Sequence, residues 1–396
     1  MTISPWLTVI GIGEDGQDGL TFAARALIDT AEVLVGGSRH LAMIPQSAAE
    51  RLIWSIPFAH SRMELESRRG KRVVILASGD PMWFGAAATL SRWFAAAEMA
   101  VLPHPGAFSL AAARLLWPLQ NCLCLTAHGR AAEALTLHFA PGRRLLILSE
   151  DTGTPAKLAE LLDHHGYGAS ALTVLENLGG PTERIALGTD ARSDLNVIAI
   201  DCAVSPGRRP LSVNGGLPDD CFRHDGQLTK REIRAVTLSA LAPMPGEVLW
   251  DVGAGCGSVA IEWMRLGGHA VAIEPLPERS ARIALNAAAL GVPGLEIITA
   301  KAPAALPLDR EAPDAIFIGG GVSEPGLLDI CRAALKPKGR LVSNAVTVEG
   351  EAALIAFRAV HGGDLTRLSV SRLAPVGGFH TWHPAMPVTQ YLGWKP

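Results

Sequence analysis

Short apolar runs that end in glycine turns, each followed by residues at helical spacing, recur along this chain. The strongest is Val248-Leu249-Trp250-Asp251-Val252, apolar on both faces but for one acid, which predicts a strand buried inside a sheet. It hands over to Gly253-Ala254-Gly255-Cys256-Gly257, and a helix is expected from Ser258. A helix over 230–240 precedes it; a strand over 270–273 and a helix over 278–290 follow. That helix has Pro277 at its start, Ile283, Ala287 and Leu290 on one face, and Gly291 as its stop. Strands over 295–298, 315–318 and 340–343 complete a mostly parallel sheet, because the connections are long enough for helical crossovers. Residues 365–370 and 388–392 are expected to pair as an antiparallel edge.

The first half alternates in the same way, but its turns differ from one another. Apolar runs end at Gly11-Ile12-Gly13-Glu14-Asp15-Gly16, at Ser78-Gly79-Asp80-Pro81 and at His104-Pro105-Gly106. Turns of this kind at strand ends line a crevice at the edge of an open sheet. A second batch of strands, at 145–148, 172–175 and 197–200, predicts a further small sheet, so this half reads as two lobes with a break near 105–120. Prolines, glycines and charge over 205–210 and 214–218 interrupt all periodicity. The expected domains are therefore 1–205 and 206–396.

Composition narrows the function. A chain of 396 residues is too long for one ordinary core. With 48% hydrophobic and 18% charged residues and a formal net charge of -3, it is neither disordered nor a broadly basic nucleic-acid binder. Six scattered cysteines show no metal-ligand or disulfide spacing, and Cys122-Leu123-Cys124 reads as strand. Residues 1–6 lack a leader pattern and no apolar run reaches the length of a membrane span, so a cytoplasmic protein without membrane contact or metal is expected.

The Asp251 to Gly257 loop points to an adenosine cofactor, because a backbone without side chains can approach a ligand and an acid at the end of the next strand, Glu274, can accept from ribose hydroxyls. NAD and S-adenosylmethionine both fit that description. A dinucleotide fingerprint would put its third glycine where Ser258 stands, and alternate glycines behind Asp251 favour S-adenosylmethionine, which has no pyrophosphate.

Taken with Ser78-Gly79-Asp80-Pro81-Met82-Trp83-Phe84-Gly85, Pro105-Gly106-Ala107-Phe108-Ser109 and Gly180-Pro181-Thr182-Glu183-Arg184, the first half resembles the tetrapyrrole methylases of corrin synthesis. The second half resembles a class I methyltransferase, in particular the decarboxylating partner enzyme of that pathway. The resemblance implies an α/β protein: a two-lobed tetrapyrrole methylase fold followed by a Rossmann-like class I domain, with one S-adenosylmethionine in each. It places the first cofactor on Gly11, Gly13, Ser78, Gly79, Asp80, Trp83, Phe108 and Ser109. The second falls on Thr229, Asp251, Gly253, Ala254, Gly255, Cys256, Gly257, Glu274 and Ala302. Lys301 stands where relatives often have Asp. The implied chemistry is methylation of a reduced, anionic tetrapyrrole at C-5 and C-15 with loss of carbon dioxide from the ring C acetate, in cobalamin synthesis, by a homo-oligomer.

Substrate carboxylates call for guanidinium partners. Candidates are Arg68 and Arg69, Arg143 and Arg144, and Arg208 and Arg209, although each pair is more simply explained as a solvated face. The loop Gly377-Gly378-Phe379-His380-Thr381-Trp382-His383-Pro384 combines flat rings with two imidazoles able to cover a macrocycle, and Asn344 ends a strand where class I enzymes meet their acceptor. His380, His383 and Asn344 are the catalytic candidates. The rivals are a NAD-dependent oxidoreductase on the same loop and a non-catalytic scaffold retaining a methyltransferase-like domain.

Overall fold

The computed structural model describes residues 5–396. Residues 1–4, part of the segment expected to carry no leader, lie outside the described residues. The chain forms two compact units, one of residues 5–132 with Phe139–Arg208 and one of Glu133–His138 with Arg209–Pro396.

The first unit holds two five-stranded sheets. In the first, β1 (Leu7–Ile12), β2 (Val33–Gly36), β3 (Glu50–Ile53), β4 (Val73–Ser78) and β5 (Met99–Leu102) run parallel in the order β3-β2-β4-β1-β5. The unbroken apolar run of β4 is explained by burial on both faces: Val73, Ile75 and Ala77 enter one core, Val74 and Leu76 the other. Gly106 and the helix Ala107–Leu115 lead to the second sheet, of β6 (Cys122–Thr126), β7 (Arg144–Leu148), β8 (Ala171–Glu176), β9 (Arg184–Leu187) and β10 (Asn196–Asp201), in the order β6-β7-β10-β8-β9. Only β6 and β7 are parallel there.

The second unit is a seven-stranded sheet of order β13-β12-β11-β14-β15-β19-β16. Its strands are β11 (Val248–Val252), β12 (His269–Ile273), β13 (Glu296–Ile298), β14 (Ala315–Ile318), β15 (Arg340–Ala345), β16 (Asp364–Leu368) and, after the hairpin β17 (Ser371–Val376) and β18 (Phe379–Pro384), β19 (Val388–Trp394). Along β14, Ala315 and Phe317 pack on one side and Ile316 and Ile318 on the other, so both faces are covered. The expected antiparallel pair exists, but β19 is interior: it pairs with β15 on one side and with β16 on the other. Its Val388 to Leu392 segment is almost wholly buried, which an outer strand would not allow.

The Gly377-Gly378 pair made the 377–384 segment look like a loop, yet it is largely strand. Gly377 and Gly378 form the turn of the β17–β18 hairpin, with Leu373 opposite Trp382 and Arg372 opposite His383. Both hairpin faces are largely exposed, so no polar-apolar alternation marks them.

Candidate active site

In the second unit the site is built from strand ends. The chain reverses at Gly253 with φ of +70°, and a Cβ there would lie 2.8 Å from the Gly320 nitrogen, so the loops after β11 and β14 meet backbone to backbone. Asp251, just before, is buried. Its Oδ2 accepts from the Ala260 N–H at 3.0 Å in the helix Ser258–Arg265, while Oδ1 has no partner among the described residues. Burial pushes this carboxyl up to about 7, against the pull of the Ala260 N–H and with help from the nearby Glu274 charge. Glu274 follows β12. Its Oε2 accepts from the Gly255 N–H at 2.8 Å and its Oε1 from the Leu276 N–H at 3.2 Å, which fixes the carboxylate against the glycine loop.

A cavity of about 770 Å³ opens over these strand ends. That is within the size range of small-molecule sites, roughly 300–1,000 Å³. Thr229, Asp251, Gly253, Ala254, Gly255, Glu274 and Ala302 line it, together with Lys230, Glu232, Asn344, Arg372 and His383. Cys256 and Gly257 are not in its wall. The Cys256 carbonyl accepts from Asn286 Nδ2 at 3.0 Å, and a Cβ on Gly257 would strike Ile283, so these two residues support the loop from beneath. Lys301 lines the cavity but is paired with Glu324 at 2.7 Å.

The catalytic candidates separate. His383 shares a hairpin face with Arg372 at the cavity, whereas His380 points to the opposite face and is absent from the lining. Asn344 reaches the cavity with its amide engaged at both ends: Nδ2 donates to Thr237 Oγ1 at 2.8 Å and Oδ1 accepts from Gln390 Nε2 at 3.0 Å. Sequence reading missed Arg234. This wholly buried guanidinium donates to Glu262 at 2.6 Å and to the Thr229 carbonyl at 2.5 Å, and stacks on Phe222, thereby holding the Thr229 segment over the cavity. Acceptors on several sides offset the cost of burying its charge; one arginine in an amphipathic helix carries no such signal in sequence.

In the first unit the glycine turns converge as expected. A Cβ on Gly11 would lie 1.9 Å from the Gly79 carbonyl oxygen, and the His104 N–H donates to that oxygen at 3.2 Å. Gly13 faces the His104 ring and Asp15. Asp80 forms a turn, its Oδ1 accepting from the Met82 N–H at 2.9 Å. The half-exposed Trp83 ring sits 5.4 Å from the buried Phe108 ring, and Ser109 lies exposed one residue further along the same helix. Ser78 Oγ is bracketed by Arg39 Nη2 at 3.0 Å and His40 Nε2 at 2.9 Å, two residues that sequence reading did not single out.

Comparison with known proteins bears on both sites. The tetrapyrrole (corrin/porphyrin) methylase family matches residues 7–192, and the precorrin methyltransferase domain family matches residues 220–395. The precorrin-6Y C(5,15)-methyltransferase [decarboxylating] of Sinorhizobium sp. is 50% identical over 398 residues, spanning 98% of this chain and 96% of its own. The chain belongs to the precorrin-6Y C(5,15)-methyltransferase (decarboxylating) family. The protein of that name from Mycobacterium tuberculosis (strain CDC 1551 / Oshkosh) is 42% identical across 97% of this chain and 98% of its own. The crystal structure of the C-terminal domain of precorrin-6Y C5,15-methyltransferase from Rhodobacter capsulatus is 42% identical, covers 47% of this chain and all of that one, and has a TM-score of 0.45.

Members of the precorrin-6Y C(5,15)-methyltransferase family are named for a precorrin substrate. Of the arginine pairs singled out in sequence, Arg68 is tied to Glu50 at 2.6 Å, Arg69 to Glu98 while lying over Trp6, and Arg144 to Asp201 at 3.6 Å while stacked on Trp117. These are internal pairs on the first unit. The cations that line the cavity are Lys230, Arg279, Lys301 and Arg372, of which Arg372 pairs with Glu232, Arg279 with Asp225 at 2.9 Å and Lys230 with Asp219 at 4.0 Å.

Proposed function

We propose that this chain is a bifunctional methyltransferase and decarboxylase that converts precorrin-6Y to precorrin-8X in cobalamin synthesis, using one S-adenosylmethionine in each unit. The observation that carries the reading is the cavity of the second unit, whose wall holds a loop-bound carboxylate together with a histidine and several cations. The residues fit the cofactor. Gly253 leaves a bare backbone cradle, Glu274 is held where it accepts from ribose hydroxyls, and Asp251 keeps one oxygen uncommitted. The convergent turns of Gly11, Gly79 and His104, with Trp83 and Phe108 beside them, support a second such site in the first unit.

S-Adenosylmethionine supplies an electrophilic methyl group on a sulfonium sulfur. The acceptor carbons are enamine-like, so the protein's task is chiefly alignment, which contributes on the order of 7–11 kcal/mol toward the barrier when the reacting groups are well oriented. Lys230 and Arg372 hold substrate carboxylates in the cavity. The β17–β18 hairpin excludes water over it, favouring release of carbon dioxide as the electron pair passes into the macrocycle. His383 then delivers a proton to the carbon left behind. The reading assigns no metal ion and no nucleic-acid or membrane partner, and places a homo-oligomer in the cytoplasm; no helix among the described residues is long and apolar enough to cross a membrane.

Calorimetric titration with S-adenosylhomocysteine tests the central claim. The intact chain is expected to show two sites. Gly253→Arg, which forces a side chain into the Gly320 backbone, is expected to leave one. A single site in the unaltered protein overturns the proposal.

A further inference from the structure

The cluster around Ser78 is not explained by cofactor binding alone. Ser78 ends β4, and its hydroxyl is exposed at the strand ends where the glycine turns converge. His40 comes from the short helix Ser38–Ala42 that follows β2, and Arg39 beside it forms an ion pair with Glu14 from the loop after β1. A Cβ on Gly180, from the loop after β8, would lie 2.7 Å from the Glu14 Cβ, so the cluster sits in the crevice between the two lobes of this unit.

His40 Nε2 lies within hydrogen-bond distance of both Arg39 and Ser78. Arg39 can only donate, and its Nη2 lies 3.2 Å from His40 Nε2, so that nitrogen carries a lone pair and the ring proton is on Nδ1, which is buried and without a partner among the described residues. Arg39 Nη2 also donates to Ser78 Oγ, leaving the serine proton directed at His40 Nε2. Burial, and then the Arg39 charge, lower the imidazole to about 4, so the ring is neutral at working pH. The charged groups around it are Arg39 and, paired behind it, Glu14. A serine hydroxyl aimed at a neutral imidazole is an arrangement for accepting a proton.

We infer that Ser78 and His40 are the proton acceptor for the methyl transfer of the first unit. The inference rests on the reading of that unit as a methyltransferase. A ring carbon that has taken a methyl group still carries its original hydrogen, and the conjugated system bears the positive charge. Restoring conjugation breaks that C–H bond and leaves its electron pair in the macrocycle. The proton passes to Ser78 Oγ as the serine proton moves to His40 Nε2, giving an imidazolium that solvent later discharges. The cationic intermediate is acidic enough that a weakened imidazole suffices, and Glu14 offsets the charge of Arg39 as the imidazolium forms. Ser78 is thus the catalytic residue, and His40 acts through it.

The test uses the full chain, precorrin-6Y with hydrogen or deuterium at the two meso carbons, and S-adenosylmethionine carrying a ¹³C methyl. Parent protein is expected to introduce two labelled methyl groups. His40→Ala is expected to bind S-adenosylhomocysteine at both sites, and His40→Ala and Ser78→Ala are each expected to slow one of the two methylations on the order of 100-fold or more. That step should acquire a primary deuterium isotope effect, and added imidazole should restore it in His40→Ala. Two methyl groups at the parent rate in both variants would overturn the inference. So would a slowed step with neither isotope effect nor imidazole rescue, which marks a structural role. If the parent itself binds only one S-adenosylhomocysteine, the methyltransferase reading of this unit fails first, and that outcome is distinguishable from either of the others.

Discussion

Asp251 is the residue whose environment has the clearest energetic consequence. Its folded-state value of about 7 lies above the ordinary aspartate value of roughly 4. Between those two pH values the folded protein binds the extra proton, so its contribution to stability is full below about 4 and is lost as pH rises toward 7. We expect Asp251→Asn to remove that dependence. The difference in urea midpoint between the variant and the parent should move in favour of the variant on going from pH 4.5 to pH 7.5, by an amount bounded at about 1.4 kcal/mol per pH unit. A difference that stays constant across that range would show that Asp251 is ionised throughout. The pairing of Asp251 and Glu274 with the glycine loop was legible because all the residues concerned end adjacent strands. His40 and Ser78 were not, since 38 positions separate them and only the parallel pairing of β2 with β4 brings them within 2.9 Å.

At the scale of the element, the β17–β18 hairpin decides which histidine can act. Alternation along a strand sends His383 to the cavity with Arg372, and His380 away from it beside Pro375. We expect His383→Ala to slow release of carbon dioxide from precorrin-6Y by on the order of 100-fold, a typical lower contribution for a positioned proton donor. His380→Ala should leave that rate close to the parent's. Carbon dioxide measured by isotope release distinguishes the two, and equal losses would remove the hairpin from the chemistry. The ion pair of Arg372 with Glu232 ties this otherwise two-stranded element to the helix Arg231–Leu241, and an isolated hairpin needs such support. Sequence reading took the segment for a loop because strands exposed on both faces lack the period of two on which strand recognition depends.

For the whole molecule, the change of periodicity after residue 200 lies between the two segments matched by family, 7–192 and 220–395. We propose that the decarboxylating methylation belongs to the second unit and the other methylation to the first. Separate expression of the halves, cut near Gly207, tests this: mass spectrometry of the product made by the second half should show one added methyl together with the loss of carbon dioxide. Two added methyl groups from that half alone would refute the division.

Sequence by itself determined the alternation of strands and helices outside the β17–β18 hairpin, the glycine turns at their ends and the acids beside them, because each depends on neighbours within about ten residues. Tertiary structure decided the interior place of β19, the burial of Arg234, the pairing of Arg68 and Arg69 with acids of their own unit, and the meeting of His40 with Ser78. Those outcomes depend on which distant segments become neighbours. Side-chain partners and desolvation, unlike backbone period, exist only once the sheets have closed.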